Sequence, residues 1–299
     1  TILESLDLTT STTSKADLYR AILWVVAMLF SFLTMAVAAR ELTDTLNPFQ
    51  IVFMRTIVAL SVVVFIVIRA KPGALSFSRA KLQIFRNVIH YGANLTWIIG
   101  VGLIPLAQVF ALEFTIPIWV AIMAVLFLKE KMTVGKIVAT VLGFIGVLVV
   151  LRPGMVAIEI GSISVLAASV GFAIAFATGK SLARDNSPLT LLFGLFAVQL
   201  PVSAIGGIAV WITPEWADVP WILWIGAMAL TAHFSMVRAL ALADVTLILP
   251  IDFLRMPLIA IIGFFLYAEP FSVWIFLGAA LIFAGNYYNI YRERQLMAD

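Results

Sequence analysis

The sequence predicts an all-α membrane protein of ten transmembrane helices arranged as two inverted five-helix repeats, and three observations predict it. Of 299 residues, 63% are hydrophobic and 12% charged, with a mean hydropathy of +1.10. A soluble domain carries about 25% charged residues, so this chain cannot cover a water-facing surface. Apolar runs also recur along it, each long enough to cross a hydrocarbon core of about 30 Å as a helix. Finally, the chain says one thing twice. Ile104–Lys131 (IPLAQVFALEFTIPIWVAIMAVLFLKEK) is echoed 139 residues on by Ala243–Pro270 (ADVTLILPIDFLRMPLIAIIGFFLYAEP), placing Glu113 on Asp252, Phe114 on Phe253 and Glu130 on Glu269. Upstream, an offset of 140 lays Asn47-Pro48 on Ser187-Pro188 and Phe53 on Phe193. A period this long is one domain made of two like halves, not a solenoid.

Taken in order, residues 1–18 are polar and Ser/Thr-rich and read as a disordered cytoplasmic tail. The first half runs over 19–155, with spans at 20–39, 49–68, 84–103, 106–128 and 134–151. The second runs over 156–294, with spans at 161–183, 189–212, 220–242, 245–267 and 271–291, before a short tail at 295–299. The runs do not alternate apolar and polar residues, which excludes a β-barrel. The first lacks a following small-residue cleavage site, which reads as a retained span. Of the 19 Lys and Arg, fifteen fall in the tails and alternate loops of one side, only Arg40 and Arg152 on the other, and Arg55 and Arg255 within spans. That bias places both termini in the cytoplasm. Because five is odd, the second half must run opposite to the first, the architecture in which a central site is exposed alternately to each side.

The two five-span repeats, the proline-bearing fourth and ninth spans, their endings LFLKEK (126–131) and FFLYAEP (264–270), and Arg55 in the second span resemble the drug/metabolite transporter superfamily, in particular its EamA-type ten-helix members. Within it, the resemblance points towards YddG-type exporters of aromatic amino acids. It implies a cavity lined by spans 1, 3, 4, 6, 8 and 9, with spans 5 and 10 packed together at the edge. It departs at Ala268, where the first repeat has Lys129.

Ionisable groups inside spans are costly and mark candidate functional sites. Arg55 and Glu113 lie at similar depth, roughly 10 Å from one end at 1.5 Å rise per residue, and are expected to pair near the outer mouth. Asp252 and Arg255, three apart on one helix face, form the matching pair near the inner mouth. Gating and plain charge neutralisation account for both pairs equally well. His90, Asn94 and Trp97 share a face of span three, with Tyr91 beside them. Gln108, Thr115 and Trp119 form a stripe on span four, about 140° from Glu113, which is expected to face a cavity while Glu113 faces a neighbour. His233 occupies the repeat position of Asn94, and Phe172 and Phe176 are expected to supply aromatic wall. Ordinary helix packing is the competing account of each. Pro117, Pro250 and Pro257 interrupt helical bonding and are hinge candidates. Ala139/Gly143 and Ala280/Ala284 have small-xxx-small spacing for close helix approach, here expected within one monomer.

An apolar, aromatic-walled cavity with few polar groups suits a small amphipathic organic solute. The expected function is secondary transport by alternating access, exporting aromatic and other neutral amino acids across a bacterial inner membrane, with the lipid bilayer and the solute as the partners. A multidrug exporter of aromatic cations and a passive facilitator are the alternatives. The chain has no cysteine and no HExxH, GxSxG or P-loop, so no enzyme constellation, cofactor, metal site or nucleic-acid partner is expected. A midplane Lys/Arg cluster suited to phosphate esters is also missing.

Overall fold

The computed structural model describes residues 15–71, 75–128, 133–155, 157–242, 248 and 251–298. Among the described residues, eleven helices are seen over their full length, in order: α1 (Lys15–Thr43), α2 (Pro48–Arg69), α3 (Ala80–Leu103), α4 (Leu106–Glu113), α5 (Ile116–Leu128), α6 (Val134–Leu151), α7 (Ile160–Leu182), α8 (Pro188–Ala209), α9 (Asp218–Leu242), α10 (Arg255–Tyr267) and α11 (Val273–Ala298). Eight candidate spans among the described residues are long and apolar enough to cross a membrane. Three boundaries differ from expectation. Helix α1 begins at Lys15, inside the expected tail, and α11 continues to Ala298 through residues 295–298. The fourth span is two helices, because the chain turns at Phe114–Thr115.

The sequence echoes have local causes. Asn47 caps α2 by accepting from the Phe49 N–H, Ser187 caps α8 by accepting from the Thr190 N–H, and each is followed by proline at the first helical position. A polar cap answers one orphan N–H, and proline there forfeits no bond. The echo of Phe114 in Phe253 marks a second matched feature: the chain also turns at Phe253–Leu254, immediately before α10. Pro117 and Pro257 fall just inside the helices that restart after these turns, where a proline is tolerated. Pro250 lies outside the described residues.

A broken helix in a membrane frees backbone groups that need partners. The Leu112 carbonyl accepts from Thr115 Oγ1 at 2.6 Å and from Ser169 Oγ at 3.2 Å, and the Phe114 carbonyl from Asn286 Nδ2 at 2.9 Å. The turn is therefore held by α7 and α11.

The packing obeys a twofold exchange of the halves. Helix α1 packs on α9 and α3 on α7, while α2 pairs with α8, α4 with α10 and α6 with α11. Corresponding spans run antiparallel. Phe49 near the start of α2 lies against Gly206 near the end of α8, whereas Ala59 and Val63 share a cluster with Leu195 and Phe196. On α6 and α11, Ala139 meets Gly285 and Gly146 meets Gly278. One half is inverted relative to the other. Phe114 and Phe253, equivalent in the repeat, touch each other with ring centres 5.2 Å apart, as only residues beside the axis can. The close approach of α6 and α11 thus uses Ala139, Gly146, Gly278 and Gly285. The expected Ala280 and Ala284 are exposed, and Gly143 meets Ile118 instead.

Candidate functional site: a cavity between the repeats

A cavity of about 190 Å³ lies between the halves. One water needs about 10–15 Å³ on this scale, so it holds on the order of ten waters or one ring-bearing solute. Helix α1 contributes Met28, Phe32 and Met35, α3 His90, Asn94 and Trp97, α7 Phe172 and Phe176, and α9 His233 and Met236. Glu113, Phe114, Ile116 and Pro117 enter from the break in the fourth span, and Asp252 and Arg255 from its counterpart. The walls are mostly sulfur and aromatic ring, soft surfaces that adapt to flat or cationic groups.

The charged groups are arranged differently from expectation. Arg55 does not pair with Glu113: its Nη1 donates to Asn94 Oδ1 at 2.9 Å. Glu113 instead accepts from Arg255 Nη1 at 3.3 Å and from Trp97 Nε1 at 2.8 Å. Arg255 also donates from Nη2 to Asp252 Oδ2 at 2.8 Å, with Nε 2.7 Å from Oδ1. The two expected acid–Arg pairs are therefore one trio, Glu113–Arg255–Asp252, joined across the repeat axis. The Arg255 guanidinium is ringed by Phe32, Phe114 and Phe110 at 4.7, 5.2 and 5.6 Å. Buried ion pairs need such extra partners to offset desolvation. With both acids ionised the trio carries one excess negative charge, and Arg55 supplies a positive charge on the same cavity.

The stripe on the fourth span is also reassigned. Gln108 donates to Ser162 Oγ, Thr115 secures the turn, and Trp119 bonds Thr115 Oγ1 and packs edge-on to Phe144. None of the three lines the cavity, whereas Glu113 does. The turn at 114–115 breaks the 100° per residue phase on which the expectation rested. Tyr91 packs against the core beside the cavity. Two polar groups that periodicity missed matter here. Gln199 on α8 reaches His90 Nδ1 at 2.9 Å. Beyond the cavity, Arg40 Nη2 donates to Glu269 Oε1 and to the Ile104 carbonyl, both at 2.6 Å, Glu269 Oε2 accepts the Leu106 N–H, and Tyr267 donates to Glu41. This clamp ties the ends of α1 and α10 to the α3–α4 joint. The repeat echo of Glu130 in Glu269 was the signal for it; Glu130 itself lies outside the described residues.

Residues 19–152 match the EamA-like transporter family. The chain carries a domain of that drug/metabolite transporter family. This EamA-like chain is 24% identical over 275 residues to an S-adenosylmethionine uptake transporter of Rickettsia bellii, covering 92% of this chain and 94% of that one. It is 28% identical to a riboflavin transporter of Brucella anthropi (80% of this chain, 86% of that one). To a riboflavin transporter of Vibrio cholerae it is 31% identical, over 60% of each. A solved crystal structure superposes with a TM-score of 0.65 at 16% identity, over 92% of this chain and 98% of that one, a likeness of fold. The chain is thus a multi-pass membrane protein that carries an EamA-like transporter domain over residues 19–152. The names of these relatives do not include the amino-acid export that the YddG-type resemblance implied.

Proposed function

We propose that the protein is a secondary transporter that carries a ring-bearing, zwitterionic or cationic organic solute across the bacterial inner membrane by alternating access. The observation that carries this reading is the cavity at the repeat interface. It combines methionine and aromatic walls with the Glu113–Arg255–Asp252 trio on one side and Arg55 on another. Opposite charges set apart in an apolar chamber fit a zwitterion with an apolar or aromatic body. S-adenosylmethionine, the solute named for relatives in Rickettsia, has an ammonium, a sulfonium, a carboxylate and an aromatic base, and the trio's excess negative charge suits its cationic centres. Aromatic amino acids carry a similar head on a smaller body and form the second reading, favoured by Trp97, Phe172 and Phe176 on the walls.

The clamp of Arg40 on Glu269 lies at the end of α1 that the charge bias assigns to the outside, so the structure fits a state closed outwards. We assign gating to this clamp and solute contact to the trio, with the turns at Phe114 and Phe253 as hinges. Proteoliposomes test the reading: labelled S-adenosylmethionine, riboflavin and phenylalanine are offered in turn, with and without a pH gradient. Saturable uptake of at least one, abolished by excess unlabelled solute, is the expected result. Absence of all three fluxes from a folded, correctly inserted protein would overturn it.

A further inference from the structure

His90 and His233 are held in opposite tautomers, and the geometry points to the pair as a reader of a donor–acceptor edge on a heteroaromatic ring. The inference rests on the transport reading above and names the chemistry of its solute.

The assignment follows from the partners. A guanidinium only donates, so Arg55 Nη1 at 2.9 Å fixes Asn94 Oδ1 as an acceptor and turns the Asn94 amide nitrogen towards His90. That nitrogen lies 2.8 Å from the His90 carbonyl and 2.7 Å from His90 Nδ1. Gln199 Nε2 approaches the same Nδ1 at 2.9 Å. His90 Nδ1 is therefore an acceptor, and the neutral ring carries its proton on Nε2. His233 is set the other way. Its Nδ1 lies 2.8 Å from the Ala229 carbonyl, which can only accept, so Nδ1 holds the proton and Nε2 offers a lone pair. Among the described residues neither Nε2 has a hydrogen-bond partner, and both rings line the cavity. One offers a donor, the other an acceptor.

Their ring centres are 5.9 Å apart and inclined at 60°, a spacing from which two bonds of about 2.9 Å can converge on adjoining atoms of one solute. The ring that satisfies both presents an N–H beside a bare ring nitrogen or carbonyl, as an adenine edge does. Flat walls are in place: Phe172 is 5.5 Å from His90 and Phe32 6.4 Å from His233. Phe32 also carries the Arg255 guanidinium at 4.7 Å, which puts the charged trio one ring away from the edge reader. A solute with a base at one end and a zwitterionic head at the other would span the two. Arg55 is then a positioning residue: acting through Asn94, it fixes which His90 nitrogen carries the proton.

The test is equilibrium binding of adenosine and N6,N6-dimethyladenosine to the purified full chain in lipid nanodiscs. Dimethylation removes the N–H and keeps the ring nitrogens. Sites built to bond a group discriminate strongly against analogues lacking it, so adenosine is expected to bind at least about tenfold more tightly. His233→Phe should reduce that preference to within about twofold, while His233→Gln, which retains an acceptor, should preserve it. His90→Phe and Arg55→Met should weaken both ligands alike and leave the ratio intact. Equal affinity of the two ligands for the wild type, or a ratio indifferent to His233→Phe, overturns the edge reader. Flux of S-adenosylmethionine, riboflavin and phenylalanine in proteoliposomes, measured in parallel, separates the two claims: flux of any of the three without adenosine binding sinks the edge reader alone, and loss of binding together with all three fluxes sinks the transport reading with it.

Discussion

At the scale of single residues, Arg255 has the largest energetic consequence. It pairs with Asp252 in its own half and with Glu113 across the repeat axis, its side chain only 9% exposed. Removing one member of such a group leaves an uncompensated buried charge, which costs about 3–5 kcal/mol. Arg255→Met is therefore expected to lower thermal stability sharply, and the double change Arg255→Met/Asp252→Asn to recover part of the loss, both read from the melting of purified protein. Glu113→Gln behaves differently. The glutamine carbonyl still accepts the Trp97 N–H, so the fold should hold while the trio loses its excess negative charge. Flux of a cationic solute should fall at least about tenfold and that of an uncharged ring should not. The sequence exposed these residues as candidates because each is ionisable within a span. It could not expose their pairing. Depth along a helix placed Arg55 opposite Glu113, but the turn at Phe114–Thr115 redirects Glu113 towards Arg255, a residue 142 positions away.

At the scale of elements, small residues decide how closely helices pack. A Cβ on Gly146 would stand 2.6 Å from the Gly278 carbonyl, and one on Gly278 would stand 2.6 Å from the Gly146 carbonyl. Backbone cannot yield as a flexible side chain can, so Gly146→Ala or Gly278→Ala should cost about 1–3 kcal/mol. Leucine at the exposed Ala284 should change stability by less than about 0.5 kcal/mol. Melting in a single detergent checks all three. Small-xxx-small spacing was visible in span ten, but two stripes of small residues run along that helix and spacing alone does not say which meets α6. The clamp belongs to this scale as well, since it holds three elements together. The chain has no cysteine, so Met35→Cys gives a single label site on the cavity wall. Adding Glu269→Gln should raise its reaction with an impermeant outside maleimide several-fold. Unchanged labelling would mean that the clamp is not a gate.

At the scale of the whole molecule, the inversion was legible from an odd number of spans in a repeated sequence, and the antiparallel pairs α2–α8 and α6–α11 agree with it. Periodicity could not show that the fourth span is broken, because Phe114–Thr115 sits inside an apolar run. Only the echo of Phe114 in Phe253 hinted at something special there. Symmetry also extends the clamp. The repeat carries Arg40 onto Lys180 and Glu130 onto Glu269, so Lys180 and Glu130 are the counterparts that should meet when the opposite mouth shuts. A disulfide between Lys180→Cys and Glu130→Cys, formed under oxidation, is expected to stop flux and to raise outside labelling at Met35→Cys. Reduction should reverse both.

The contact of Phe114 with its own repeat equivalent, Phe253, has an evolutionary corollary. A surface that recognises its inverted copy needs no second gene. Two separate copies could pair this way only by inserting in opposite topologies, and the charge bias of the first half, ten Lys and Arg on one side against Arg40 and Arg152 on the other, now holds it to one. Within one polypeptide the two copies are free to differ: Arg40 faces Glu269 at one mouth, and Lys180 stands in the repeat position of Arg40 at the other.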